Sequence, residues 1–196
     1  MAKDIKKIIA QEYLKCAKDP AYFMKKYCFI QHPTRGRILF SLYPFQEKIL
    51  HLFKDNQYII TLKSRQLGIS TLSAAYSLWL MLFHKDKNVL ALATTQATAR
   101  NLVTKTIFMY DQLPKWLRLR AVEKNKLSLR LKNGSKITAK SSNADAARSE
   151  AVSLLLIDEA AFIDNIDETY TAAQQNYRGQ YILKEMKLGD NNKIET

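Results

Sequence analysis

The stretch Tyr58 to Phe83, YIITLKSRQLGISTLSAAYSLWLMLF, decides the fold. Tyr58 to Leu62 is a short β-branched run and Lys63 to Ser70 is a polar loop. Thr71 to Phe83 is rich in apolar residues with few helix breakers. Strand, loop and helix in that order are the local architecture of a phosphate-binding loop. In the ordinary form, G-x-x-x-x-G-K-[ST], backbone N–H groups cradle phosphates at a helix N-terminus, the lysine reaches the β/γ-phosphates and the hydroxyl holds Mg²⁺. Setting Gly68 on the second glycine puts Ser70 on that hydroxyl, but Lys63 on the first glycine and Ile69 on the lysine. The strict pattern therefore fails. The chemistry can survive, because a loop wrapped around a polyphosphate brings its two ends together, and an ammonium at the entrance then reaches the same oxygens from the other side. The alternative is an ordinary strand-to-helix turn with solvated Lys63 and Arg65.

A second anchor lies downstream. Val152 to Ile157, VSLLLI, is almost continuously apolar and ends in Asp158-Glu159. A strand buried on both faces delivers such acids to the edge where ligands bind in open α/β sheets. Two adjacent acids there suit NTP hydrolysis, Asp158 holding Mg²⁺ through its water shell and Glu159 polarising the attacking water. Alone, the pair could be a strand ending in solvent-facing acids. About two βα units downstream of a phosphate loop, it points to an NTP-binding core.

The remaining segments fit around these anchors. Ile5, Ile8, Ile9, Tyr13 and Leu14 recur at helical spacing in residues 4–18, and Asp19-Pro20 ends that helix. Residues 29–42 read as a loop and a short strand leading to a helix over 45–54, with Gln46 in its first turn. Val89 to Ala93 is a short buried strand, and a helix runs from Ala97 to about Leu113, before Pro114. Leu127, Leu129 and Leu131 alternate with polar residues ahead of Asn133-Gly134, a strong hairpin signal. Strands separated by helices imply a mainly parallel sheet.

Composition narrows the class. The 196 residues, 47% hydrophobic and 25% charged, suit one globular domain. A formal net charge of +13, dispersed along the chain, favours polyanionic partners. Cys16 and Cys28 and the three histidines show no metal-ligand spacing, and free thiols suit a reducing compartment. No signal peptide is legible, and the longest mostly apolar run, Leu72 to Phe83, is well short of the ~20 residues that span a membrane. The expectation is a soluble, non-secreted protein that does not engage a membrane.

With these residues in place, the chain resembles the large terminase subunit of tailed bacteriophages, the ATPase that drives DNA into procapsids. The matching stretches are YPFQEKIL, LKSRQLGISTLSAAY, VLALATTQATARN, ARSEAV and LLLIDEAAFID, spanning about residues 40–165. The resemblance implies a P-loop NTPase core of the ASCE type: a mainly parallel sheet flanked by helices, with a β-hairpin insertion and an N-terminal helical segment. It implies ATP and Mg²⁺ as cofactors, bound by Gln46 and by Lys63, Ser64, Arg65, Gln66, Leu67, Gly68, Ile69, Ser70 and Thr71. Many members carry the lysine at the loop entrance, which gives Lys63 the phosphate role. Gln46 would read adenine, Arg65 would stabilise transition-state charge beside Glu159, and Arg148 is a candidate sensor. Ser70 and Asp158 would hold the metal. Implied partners are double-stranded DNA, the portal or procapsid and the small terminase subunit, in the host cytoplasm, with oligomers only on the portal. A helicase-like nucleic-acid-dependent ATPase and a non-catalytic basic DNA-binding fragment are the alternatives.

The resemblance stops after Gln175. Residues 1–42 read as a helical lead-in, 43–175 as an incomplete ATPase core and 176–196 as a divergent tail without the family's coupling strand or acidic nuclease domain. A frame slip or split gene would produce that change. On this reading the chain is truncated, lacks nuclease activity and hydrolyses ATP weakly alone, and Lys63→Ala should weaken nucleotide binding where Ile69→Ala does not.

Overall fold

The computed structural model describes residues 2–64, 66–142, 151–164, 166–168, 171 and 177–187. Two of the candidate site residues, Arg65 and Arg148, lie outside the described residues.

Helix α1 (Ala2–Lys18) is followed at once by α2 (Pro20–Tyr27). The Asp19 carboxylate accepts from Ala21 N at 2.8 Å and Pro20 opens the new helix, so the Asp-Pro pair both stops one helix and caps the next. The Trp79 indole N–H donates to Cys16 O at 2.8 Å and ties α1 to the body. The segment read as a loop and one short strand is instead an antiparallel pair, β1 (Phe29–His32) and β2 (Gly36–Leu39), forming a small sheet of its own. Gly36 at φ +65° closes the turn between them.

Then come α3 (Pro44–Asp55), β3 (Tyr58–Lys63), α4 (Ile69–Phe83), β4 (Asn88–Ala93) and α5 (Gln96–Asp111). Every α4 residue from Leu72 to Leu82 is buried, as expected of a helix apolar on all sides. The Thr95 hydroxyl caps α5 by accepting from Thr98 N at 3.2 Å. Beyond α5 lie β5 (Ala121–Lys124), β6 (Ser128–Leu131), β7 (Lys136–Ser141), β8 (Val152–Ile157), a short 3₁₀ turn at Ala160–Phe162, and β9 (Tyr177–Lys187).

Among the described residues, seven strands form one sheet in the order β3-β9-β8-β4-β7-β6-β5. Strands β3, β9, β8, β4 and β7 run parallel, and β6 and β5 continue the sheet antiparallel. Val89, Ala91, Leu154 and Leu156 face the helical layer, whereas Leu90, Leu92, Leu155 and Ile157 pack with Ala160 and Ile163 on the opposite face. That double burial is why VLALA and SLLLI read as unbroken apolar runs.

Two expectations change. The Asn133-Gly134 hairpin is not an insertion: β7 pairs in parallel with β4, so one arm belongs to the core sheet. Gly134 sits at φ +84°, a left-handed conformation that other residues rarely adopt, and a Cβ there would also displace the Asp86 carboxylate. The second change concerns residues 176–196, expected to hold no family-like strand. β9 runs between β3 and β8, parallel to both.

Candidate active site

The parallel strands bring the two anchors together. β3 ends in Lys63 and β8 ends just before Asp158, both at the same edge of the sheet. After β3 the chain passes through left-handed conformations at Gln66 (φ +63°) and Gly68 (φ +72°). Gly68 sits at the N-cap of α4, and a Cβ there would lie 2.9 Å from Gln46 Nε2. Both conformation and space hold this position to glycine. Leu72 N donates to Gly68 O at 2.9 Å. By helix geometry the N–H groups ahead of that bond have no intrahelical acceptor, and they form the positive end of the helix dipole, a place suited to phosphate.

Ser70 Oγ donates to Asp158 Oδ2 at 3.1 Å, although the two are 88 residues apart. Asp158 N is itself fixed to Leu92 O at 2.9 Å. Glu159 adopts φ 58°, ψ 40°, a left-handed conformation that costs a non-glycine residue about 1–3 kcal/mol. A cavity of about 410 Å³ joins these parts, and Lys63, Ser70, Thr71, Lys105, Asp158 and Glu159 all line it. The displaced lysine and the paired acids therefore share one pocket. Ile69, at the position of the ordinary P-loop lysine, also lines this cavity but is only 1% exposed. A hydroxyl and a carboxylate oxygen at hydrogen-bond distance are a donor set for a hard cation, and Mg²⁺ takes few protein ligands beside phosphate oxygens and water.

Gln46 is fully buried, and the structure commits both ends of its amide. Oε1 accepts from Tyr43 N at 3.1 Å and Nε2 donates to Leu67 O at 3.0 Å. It links the first turn of α3 to the phosphate loop. A second cavity, about 630 Å³, opens beside it and shares Gln66, Gly68 and Thr71 with the first. Its outer wall is the β1–β2 hairpin, through Ile30, His32, Arg35 and Phe40. Neither this hairpin wall nor Lys105 is legible in the sequence. Lys105 sits in a helix of mixed polarity with no motif to mark it, and the hairpin becomes part of the site only through tertiary packing.

Residues 60–184, more than half of the chain, match the family described as "Terminase large subunit, T4likevirus-type, N-terminal". Among solved structures, the large terminase of bacteriophage HK97 is similar at a TM-score of 0.70 and 17% identity, over 87% of this chain and 37% of that one. The ATPase domain of a Thermus phage large terminase is similar at a TM-score of 0.57 and 16% identity, over 78% and 67%. A large terminase from a thermophilic bacteriophage, solved in complex with ATP-gamma-S, is similar at 0.57 and 16%, over 74% and 38%. The chain thus spans less than two fifths of the HK97 protein it resembles. Because the family match covers more than half of the chain and takes in β8 whole with most of β3 and β9, the chain belongs to the N-terminal family of terminase large subunits.

Proposed function

We propose that this chain is the ATP-hydrolysing part of a phage DNA-packaging motor. The observation that carries the proposal is the contact between Ser70 and Asp158, in a cavity that also holds Lys63 and Glu159. Triphosphate would lie across the N-terminus of α4, its charge met by the open N–H groups and by Lys63 from the loop entrance. Ser70 and Asp158 would hold Mg²⁺, which neutralises charge on the phosphates. Glu159 would accept a proton from the attacking water as the water approaches the γ-phosphorus. Arg65 and Arg148 are proposed as additional cations at the phosphates. Duplex DNA would be the cargo, and a portal-bound assembly with the small subunit the working state, in the host cytoplasm. The solved relative that carries ATP-gamma-S supports the choice of nucleotide. The helicase-like and non-catalytic alternatives are not favoured by the family match. A strand, β9, follows residue 175 and pairs with β8, which supports hydrolysis by this chain.

Two variants test the reading. Lys63→Ala should weaken Mg·ATP binding at least tenfold in a calorimetric titration. Ile69→Val, which trims the core by one methylene, should leave binding unchanged, and equal losses would reject the displaced-lysine arrangement. Val is the better control than Ala, since Ile69 is buried and truncation to Ala would cost about 2–5 kcal/mol of stability. Glu159→Gln should retain binding and reduce phosphate release roughly 10²–10⁴-fold.

A further inference from the structure

The fold gathers charge that looks dispersed along the sequence. Residues 114–136 carry eight Lys and Arg against one acid, Glu123, more than half of the chain's excess of +13. They make up the antiparallel end of the sheet and the connection that leads into it. At the C-terminal end of α5 a cavity of about 400 Å³ is lined by Lys115, Arg118, Arg120 and Lys124, with Asp111 as its acid. The scaffold under these cations is fixed. Leu113 and Leu117 are buried, the Tyr110 hydroxyl donates to Leu119 O at 2.6 Å, Arg118 Nη1 donates to Asp111 O at 3.2 Å, and Lys124 pairs with Asp111 at 2.9 Å. Lys115, Arg118 and Arg120 are exposed.

We infer that this basic shelf, built on Lys115, Arg118, Arg120 and Lys124, is where the chain grips the phosphate backbone of duplex DNA. This rests on the DNA-packaging reading above and adds a place to it. A rigid array of Lys and Arg fits a regular lattice of phosphates, a contact that positions DNA without reading its sequence. Single strands need aromatic platforms for their bases. The sole aromatic in residues 114–136 is Trp116, and its ring already packs edge-on against Tyr27 at 5.5 Å. The shelf is remote from the nucleotide cavity, with β5 four strand spacings, about 19 Å, from β8. It also lies at the far end of α5, a 16-residue helix about 24 Å long whose first residue follows the site edge of β4. Nucleotide and DNA would therefore bind side by side.

The test compares two variants that remove equal charge. Lys115→Ala/Arg118→Ala/Arg120→Ala should lower affinity for a labelled duplex at least tenfold at about 100 mM salt. It should flatten the slope of log K against log salt by up to about 3, at roughly 0.9 per lost phosphate contact. Lys6→Ala/Lys7→Ala/Lys15→Ala, on the exposed face of α1, should change both far less. Equal effects from the two triples, or none from the first, would overturn the shelf. So would unchanged duplex binding alongside lost binding to purified procapsid, which would assign the shelf to an acidic protein. Mg·ATP titration of the same proteins separates the premises: failure of the wild type to bind nucleotide would sink the motor reading, whereas the shelf is judged by the salt slopes.

Discussion

At the scale of single residues, Gln46 shows how a role suggested by resemblance meets a specific geometry. Its amide spans from Tyr43 N to Leu67 O, and a Cβ added at Gly68 would meet the same Nε2. The side chain thus holds the phosphate loop to α3, whatever it also does for a base. Each buried hydrogen bond is worth about 1 kcal/mol and more when its partner is left unpaired. Gln46→Ala should therefore weaken Mg·tripolyphosphate, which has no base, about tenfold, and Mg·ATP by a similar factor. If Gln46 acts only as a reader of adenine, tripolyphosphate binding would stay at the wild-type value and discrimination between ATP and GTP would vanish. Much of this site is legible in the sequence. Lys63, Ser70, Asp158 and Glu159 sit at ends of strands and starts of helices, positions that spacing alone can assign. What spacing does not give is the second commitment of Gln46, since a glutamine in the first turn of a helix is equally suited to a base or to its own backbone.

At the scale of elements, β9 is the instructive case. A central parallel strand is expected to be an apolar run, yet YRGQYILKEMK has only Tyr181, Ile182 and Leu183 in sequence. The register explains this composition. Tyr181, Ile182 and Leu183 pair with Leu154, Leu155 and Leu156 of β8, where the sheet is buried on both faces. Pairing with β8 ends at Lys184, and Glu185 to Lys187 pair only with Thr61 to Lys63 of β3, beside the site edge. The consecutive apolar run of the strand is three residues long, too short for a pattern. The hairpin is easier to read, because the alternation of Leu127, Leu129 and Leu131 before Asn133-Gly134 is a period-two signal with its turn attached. Since β9 separates β3 from β8, a chain ended at Gln175 would leave the phosphate loop and the carboxylates without the strand that sets their spacing. That chain should lose cooperative thermal unfolding and all Mg·ATP binding, measured by circular dichroism and titration. Retention of wild-type binding would mean that β9 is dispensable to the site.

At the scale of the whole molecule, fold class follows from the two anchor strands, but strand order does not, because order depends on which crossovers the chain takes and not on local pattern. That order places the loop after Lys63 on a strand at one end of the described sheet and the basic shelf at the other, with α4 buried and packed against α2, α3 and α5. The proposed nucleotide site thus lies at the N-terminus of a helix buried from Leu72 to Leu82. A ligand seated there binds the folded state alone, so it should stabilise the entire domain and not a single loop. At a Mg·ATP concentration about one hundred times Kd, linkage adds about 2.7 kcal/mol. For a domain of this length each kcal/mol moves Tm by about 2–4 °C, and the expected rise is roughly 5–10 °C in a single transition. On the proposed reading, in which Ser70 and Asp158 would hold Mg²⁺ beside the phosphates, excess EDTA should remove most of that rise. Lys63→Ala should also lose most of it, whereas Lys115→Ala/Arg118→Ala/Arg120→Ala should keep it in full. A rise that survives EDTA unchanged, or one that the shelf variant loses along with Lys63→Ala, would show that the nucleotide binds somewhere other than the start of α4.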